Sequence, residues 1–213
     1  MRSASPLAPA ELRGNRLWMR NYAISLRSWH NRKKLLREGG YAMKQEKAYY
    51  HLPGSFEFYE LYREFLPLFR VHREYFYDWC KIGSVYGSPS DCIWSGGRIS
   101  YADCDPKKVF ALMKEYNISS RLTFSNSLIE EKHLSDIKCN ELCRLLSLDT
   151  NNGIIIHSDL LMKYLKSKYP NLYFVSSTTK VLTDFNDFEK EVENPDFTYV
   201  CLLYTSDAAD DLT

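Results

Sequence analysis

Excess charge of one sign, long apolar runs and clustered cysteines are all missing from this sequence. Its 213 residues carry 28 Lys and Arg against 27 Asp and Glu. Without a basic excess, the chain lacks the electrostatic signature of a dedicated nucleic-acid-binding protein. It has no run of about 18 uncharged apolar residues, and its N-terminus lacks the apolar core of a secretory signal. We therefore expect neither a nucleic-acid partner nor a membrane partner.

The six cysteines show no tight disulfide framework, which favours a reduced, cytoplasmic protein. Cys139 and Cys143 fall on the apolar face of a predicted helix, beside Leu142 and Leu146. We expect both to be buried structural thiols, because an iron–sulfur site would need a third cysteine close by. The sequence thus predicts no metal site, and it identifies no cofactor.

Residues 1–42 are rich in arginine and contain only two acidic residues, Glu11 and Glu38. They follow neither a helical nor a strand period. A disordered basic arm and a transit peptide are two interpretations. A third is that translation begins at Met43, because the preceding Glu-Gly-Gly triplet can be encoded by a purine-rich ribosome-binding sequence. We favour the third interpretation.

The other end, residues 201–213, is small, acidic and without hydrophobic pattern. It resembles translated sequencing adapter, a tail found at the broken ends of metagenomic reading frames. That resemblance implies that the natural protein continues beyond Val200. A genuine frayed terminus is the alternative.

Residues 43–84 form a segment rich in aromatic side chains. Ser55 is a suitable cap for a helix whose apolar stripe recurs every three or four residues. Pro67 is expected to kink this helix or to begin a second one over residues 70–79. We predict an aromatic helical segment that mainly provides packing surface.

Residues 85–200 alternate between strand and helix patterns. The predicted strands cover residues 91–95, 121–126, 153–157 and 172–177, with a fifth from Phe197. Helical patterns separate them, one of which starts at the Asp105 cap followed by Pro106. Such crossovers are typical of parallel sheets. Because no GxGxxG follows the first strand, we predict an incomplete TIM-type (β/α)8 barrel rather than an open doubly wound sheet. Its open sheet edges are expected to promote self-association.

Both architectures bind ligands at the carboxyl ends of their strands. This rule selects His157 and Asp159 as catalytic candidates, and as ligand-binding candidates Arg98, Asn126, Ser158, Ser176 and Lys180. The His-x-Asp spacing suits proton transfer or metal ligation, although a helix-capping Asp and a packed His fit it equally well. Arg98 after two glycines, and Lys180 near several hydroxyls, suit a phosphate or a carboxylate.

The stretches NGIIIHSDLL and NLYFVSSTTKVLTDF resemble uncharacterised bacterial barrel proteins that are distantly similar to collagenase-like peptidases. The resemblance covers about residues 85–200 and includes no catalytic motif. It implies a β/α barrel and, by analogy alone, a hydrolase. Two functions remain open. One is an enzyme fragment that binds a small anionic or peptide-like ligand at the strand ends. The other is a noncatalytic binding or scaffold protein that uses the aromatic segment 49–79.

Overall fold

A computed structural model describes residues 47–96 and 104–201 of the chain, and it contains one parallel sheet of six strands. The strands are β1 (Ala48–Pro53), β2 (Cys80–Gly87), β3 (Ser119–Phe124), β4 (Gly153–Ile156), β5 (Tyr173–Ser176) and β6 (Tyr199–Val200). They lie side by side in sequence order, each parallel to the next. The sheet curls into a half-barrel.

Five α-helices separate these strands and cover one face of the sheet. They are α1 (Tyr59–Val71), α2 (Pro106–Glu115), α3 (Ile137–Leu146), α4 (Asp159–Lys168) and α5 (Phe185–Glu193). Four begin at a side-chain cap, namely Asp105, Asp136, Ser158 and Asp184. Each cap accepts a hydrogen bond from a backbone N–H of the first turn, which would otherwise have no partner. The predicted alternation of parallel strands and helices is confirmed.

The strand predicted over residues 91–95 is wrong. Its centre is a short 3-10 helix, Ile93–Ser95, and the strand at this place in the fold is β2. Trp94 is fully buried against Phe124, with ring centres 5.3 Å apart, and its indole N–H donates to the carbonyl of His133. Residues 91–95 therefore lie in a loop that covers the core, and this burial explains why the segment is apolar.

The aromatic segment contains strand as well as helix. It contributes β1, all of α1 and the start of β2. Pro67 lies inside α1 without dividing it, and the second helix expected over residues 70–79 is replaced by the short turn Arg73–Tyr75. Tyr62 on α1 donates a hydrogen bond to the carbonyl of Pro53, and burial raises the pKa of Tyr62 to about 12. This contact joins α1 to the end of β1.

The main core lies between the sheet and the helices. Alternate strand residues such as Leu122, Ile154 and Phe174 pack there against helix residues such as Leu142 and Leu165. A smaller cluster around Leu66 and Val85 fills the space under α1. Burial of these apolar side chains is the dominant stabilising contribution to such a fold.

Cys139 and Cys143 are both buried on the sheet-facing side of α3, as predicted. The sulfur of Cys139 lies 2.9 Å from that of Cys92 in the loop after β2. The hydrogen bond with Cys92, together with burial, raises the pKa of the Cys139 thiol, and burial raises that of Cys143. Both groups are therefore neutral thiols at physiological pH.

None of the helices in residues 47–96 and 104–201 has the length and apolar character needed to cross a membrane. In the same ranges, no three His, Cys, Asp or Glu side chains form a group able to hold a metal ion.

Candidate functional site

The predicted site residues lie in different environments at the carboxyl ends of the strands, and Arg98 lies outside the described residues. Asn126, after β3, uses both ends of its side-chain amide to organise its own loop. Its nitrogen donates to the carbonyl of Ile93 over 2.8 Å, and its oxygen accepts from the Leu128 N–H over 2.8 Å. Asn126 therefore holds the loops after β2 and β3 together.

Ser158 and Ser176 serve the helix layer. Ser158 caps α4, where its hydroxyl accepts a hydrogen bond from the Leu161 N–H over 3.3 Å. Ser176 is fully buried at the end of β5, in phase with Phe174 on the helix-facing side, and donates to Glu191 over 2.5 Å. Neither hydroxyl faces the hollow of the half-barrel.

Lys180 is held by two carboxylates. Its ammonium nitrogen lies 2.8 Å from Asp159 and 2.6 Å from Glu191, and 4.7 Å from the ring centre of Phe197. Only 11% of the Lys180 side chain and 15% of the Glu191 side chain are exposed. The two carboxylates neutralise the ammonium and fasten the loop after β5 to α4 and α5, so Lys180 offers little free charge to a ligand.

His157 stands at the end of β4 and is half-buried. Its Nδ1 lies 3.0 Å from the hydroxyl of Thr179, which in turn lies 2.9 Å from that of Ser177. Asp159 turns to Lys180 instead, so the structure does not pair the imidazole with the carboxylate two residues later. His157 remains a side chain able to exchange a proton at the mouth of the half-barrel.

The concave face of the sheet carries a second group of polar residues. Because strand residues alternate between faces, the apolar Leu122 and Phe124 place Arg121 and Thr123 on the side away from the helices. Strand register sets Arg121 beside Tyr86 on one flank and Gly153 on the other, and Gly153 beside Tyr173. These residues form a row across four strands.

Arg121 is the only charged residue among the nine polar and charged residues that are buried within the described ranges, and it is 8% exposed. Its Nε donates to the hydroxyl of Tyr173 over 2.6 Å, and its guanidinium carbon lies 5.3 Å from the ring centres of both Tyr173 and Tyr199. The Tyr173 hydroxyl also lies 2.6 Å from the Ser119 hydroxyl, and either group can donate in that hydrogen bond. The rings and hydroxyls hold the guanidinium in one orientation.

The charge of Arg121 is not balanced by a carboxylate in residues 47–96 and 104–201, where it forms no ion pair. Within these ranges its two terminal nitrogens have no hydrogen-bond partner. The buried hydroxyl of Thr123, next on this face, also has no partner there. A buried cation with free N–H groups is costly unless an anion binds it.

Gly153 makes this arrangement possible. A Cβ at this position would lie 2.4 Å from the Tyr173 ring, a distance that real side chains do not adopt. The missing side chain lets the Tyr173 ring cross β4 and reach Arg121. Gly153 therefore contributes to the concave face by leaving room for the Tyr173 ring.

His51 extends the polar face on β1. An irregularity in the β1–β2 pairing sets His51 opposite Ser84, and its Nδ1 lies 2.8 Å from the Ser84 hydroxyl. Burial, and secondarily the charge of Arg121, lower the pKa of the His51 imidazole. His51 is therefore neutral at pH 7, and Arg121 carries the positive charge of this row.

The sequence pattern predicts Arg121 and Tyr173 only as strand residues. The available signal is the phase of β3, since a charged residue next to the helix-facing Leu122 must point to the other face of the sheet. A guanidinium is a group able to bind a carboxylate or a phosphate through two parallel hydrogen bonds.

The chain matches no protein-family model, no curated protein and no solved structure. Any functional assignment must therefore come from the residues and geometry above.

Proposed function

We propose that this protein binds a small organic anion, bearing a carboxylate or a phosphate, on the concave face of an incomplete TIM-type (β/α)8 barrel. The six curled parallel strands in sequence order support the barrel. The row lies near the amino ends of β4 and β5, which begin at Gly153 and Tyr173. The location therefore rests on the guanidinium itself and departs from the general rule that barrels bind ligands at the carboxyl ends of their strands.

One observation carries the proposal. Arg121 is almost completely buried, is held by Tyr173, and forms no ion pair within the described residues. A binding anion would supply the missing counter-charge and accept the free N–H groups of the guanidinium. Tyr199 and Tyr173 flank the position and limit the size of the anionic group.

Within this proposal His157 is the candidate catalytic residue. It follows β4 at the mouth, and Thr179 orients its ring through Nδ1. Its Nε2 is the atom that exchanges a proton with a ligand whose anionic group lies deeper, against Arg121. Asp159 positions Lys180 rather than His157. A peptidase-like hydrolysis remains a prediction from resemblance.

Isothermal titration of the full chain with inorganic phosphate and with succinate tests the proposal. We expect saturable binding that weakens at least tenfold in Arg121→Met. The affinity of Arg121→Lys should lie between those of wild type and Arg121→Met, because an ammonium keeps the charge but loses the two parallel hydrogen bonds. The matched control is Arg144→Met, whose arginine is exposed on α3 and paired with Glu141. Equal affinities in wild type, Arg121→Met and Arg144→Met would contradict the proposal.

A noncatalytic scaffold role is the second candidate, and exposed apolar side chains favour it. In the aromatic segment Leu61, Leu68, Val71, Tyr75 and Tyr77 are each more than half exposed. Such a surface is typical of contact with another protein chain. If it mediates self-association, Leu61→Lys with Leu68→Lys should reduce the sedimentation coefficient of the full chain and leave phosphate binding unchanged. An unaltered sedimentation coefficient would argue against this role.

A further inference from the structure

A pocket lies away from the concave row, near the amino end of β2 and the carboxyl-terminal ends of α1 and α2. Its volume is about 320 Å³. Apolar side chains from the three elements line it, among them Leu66, Phe69 and Ile82. At roughly 30 Å³ for each water-sized group, this space holds a ligand body of about ten non-hydrogen atoms.

Four cationic residues surround this apolar lining: Lys47, Arg70, Arg73 and Lys81. No acidic residue lines the pocket, and within the described parts of the chain none of the four cations forms an ion pair. The chain as a whole is almost neutral, so this grouping is a local departure from its charge balance. The clustered positive charge attracts anions.

Two of these cations are held in place by aromatic rings. The guanidinium of Arg73 lies 4.4 Å from the ring centre of Phe69, and that of Arg70 lies 4.4 Å from the ring centre of Tyr116. Arg73 also donates from one terminal nitrogen to the carbonyls of Tyr77 and Cys80, over 3.1 and 3.0 Å. Its orientation is therefore fixed before any ligand arrives.

The other terminal nitrogen of Arg73, Nη1, is buried and has no hydrogen-bond partner among the described residues. A buried guanidinium N–H without an acceptor is destabilising. The unpaired cations and the apolar lining together define what the pocket lacks, namely an anionic group attached to an apolar body.

We infer that this pocket binds an organic anion with an apolar body, of the aryl or short acyl carboxylate class. The carboxylate pairs with Arg70 and Lys81, which are accessible and form no ion pair among the described residues. The apolar body packs on Leu66, Phe69 and Ile82. This inference is independent of the proposed function, because it shares no residue with the concave row around Arg121.

The probe is 2-naphthoate, with the isosteric neutral 2-naphthamide and with acetate as comparison ligands. Calorimetric titration of the full chain should show one saturable site for 2-naphthoate and much weaker binding of the other two. Raising the salt concentration should weaken 2-naphthoate binding, because exposed charges are screened.

The variant Arg70→Met with Lys81→Met removes two of the cations and keeps side chains of similar length. We expect a rise in the 2-naphthoate Kd of at least tenfold and little change for 2-naphthamide. The matched control, Arg144→Met with Lys190→Met, removes an exposed Arg and an exposed Lys elsewhere and should bind like wild type. Arg121→Met should also bind 2-naphthoate normally, which separates the two sites.

Lys81→Met alone is the second test if the double variant does not fold, and it should raise the Kd about threefold. Equal 2-naphthoate affinity in wild type and in the charge-removing variants would overturn the inference. So would absence of saturable binding up to the solubility of the salt, or equally tight binding of the neutral amide.

Discussion

The two faces of the sheet are made by the same strands and have opposite character. On the helix side Leu122, Ile154 and Phe174 are at most 2% exposed and pack within the hydrophobic core cluster. On the concave side, the residues next to them are Arg121, Gly153 and Tyr173, which form a hydrogen-bonded and ring-stacked row. The two faces therefore contribute differently: the helix side stabilises the fold, and the concave side presents a charge.

The largest expected effect is on the helix side of β3. Leu122→Ala should reduce the free energy of unfolding by about 2–5 kcal/mol, because a fully buried leucine leaves a cavity. Its matched control is the next residue, Thr123→Ala, which removes a buried hydroxyl without a partner in the described residues. That change should cost less than about 0.5 kcal/mol or stabilise slightly. Urea unfolding of both variants checks the difference, and similar losses at both positions would break the comparison.

A smaller effect is expected at Gly153 on the concave side. Gly153→Ala should cost about 1–3 kcal/mol, because the new methyl group and the Tyr173 ring compete for the same space. Adding Tyr173→Leu should recover part of this loss, which a double-mutant cycle measures. Additive losses in the cycle would show that the two residues do not meet. Gly153→Ala should also weaken phosphate binding by displacing the ring that holds Arg121.

The smallest effect concerns pH. Burial and the charge of Arg121 lower the pKa of His51 in the folded chain, so the unfolded chain binds the proton more tightly. The stability that neutral His51 contributes is present above its ordinary pKa of about 6.5 and is lost as the pH falls through the lowered value.

Thermal unfolding between about pH 8 and about pH 5 measures this contribution. As the pH is lowered, the Tm of His51→Gln should fall less steeply than that of wild type. The slope for Arg121→Met should lie between these two slopes. Identical slopes in all three proteins would contradict the electrostatic contact between the two residues.

Much of the fold was accessible from local patterns. The continuous β-branched run at β4 and the Asp105–Pro106 start of α2 could each be placed closely, because periodicity and caps are local signals. The strand β1 was missed because its aromatic residues continue directly into the pattern of α1. The run 91–95 was misplaced because a short apolar stretch has the same composition in a strand and in a buried turn.

The candidate site could not be assembled from the sequence. The rule for parallel strands selects the loops after β3, β4 and β5, whereas the Arg121 row lies within the strands, and the rule does not state which way a side chain points. Ser176 is in phase with Phe174 and faces the helices, whereas Arg121 is out of phase with Leu122 and faces the hollow. Pairing of Lys180 with Glu191 on α5 depends on how the helices pack, which local patterns do not encode.

The most direct test of the central claim is the Tm of wild type and Arg121→Met measured against phosphate concentration. An anion that binds only the folded state raises stability as its concentration increases. We predict that wild type starts with the lower Tm, because its buried charge lacks a partner, and that its Tm climbs with phosphate. Arg121→Met should start higher and stay flat. Parallel curves, or a lower starting Tm for Arg121→Met with an unchanged phosphate response, would contradict the account.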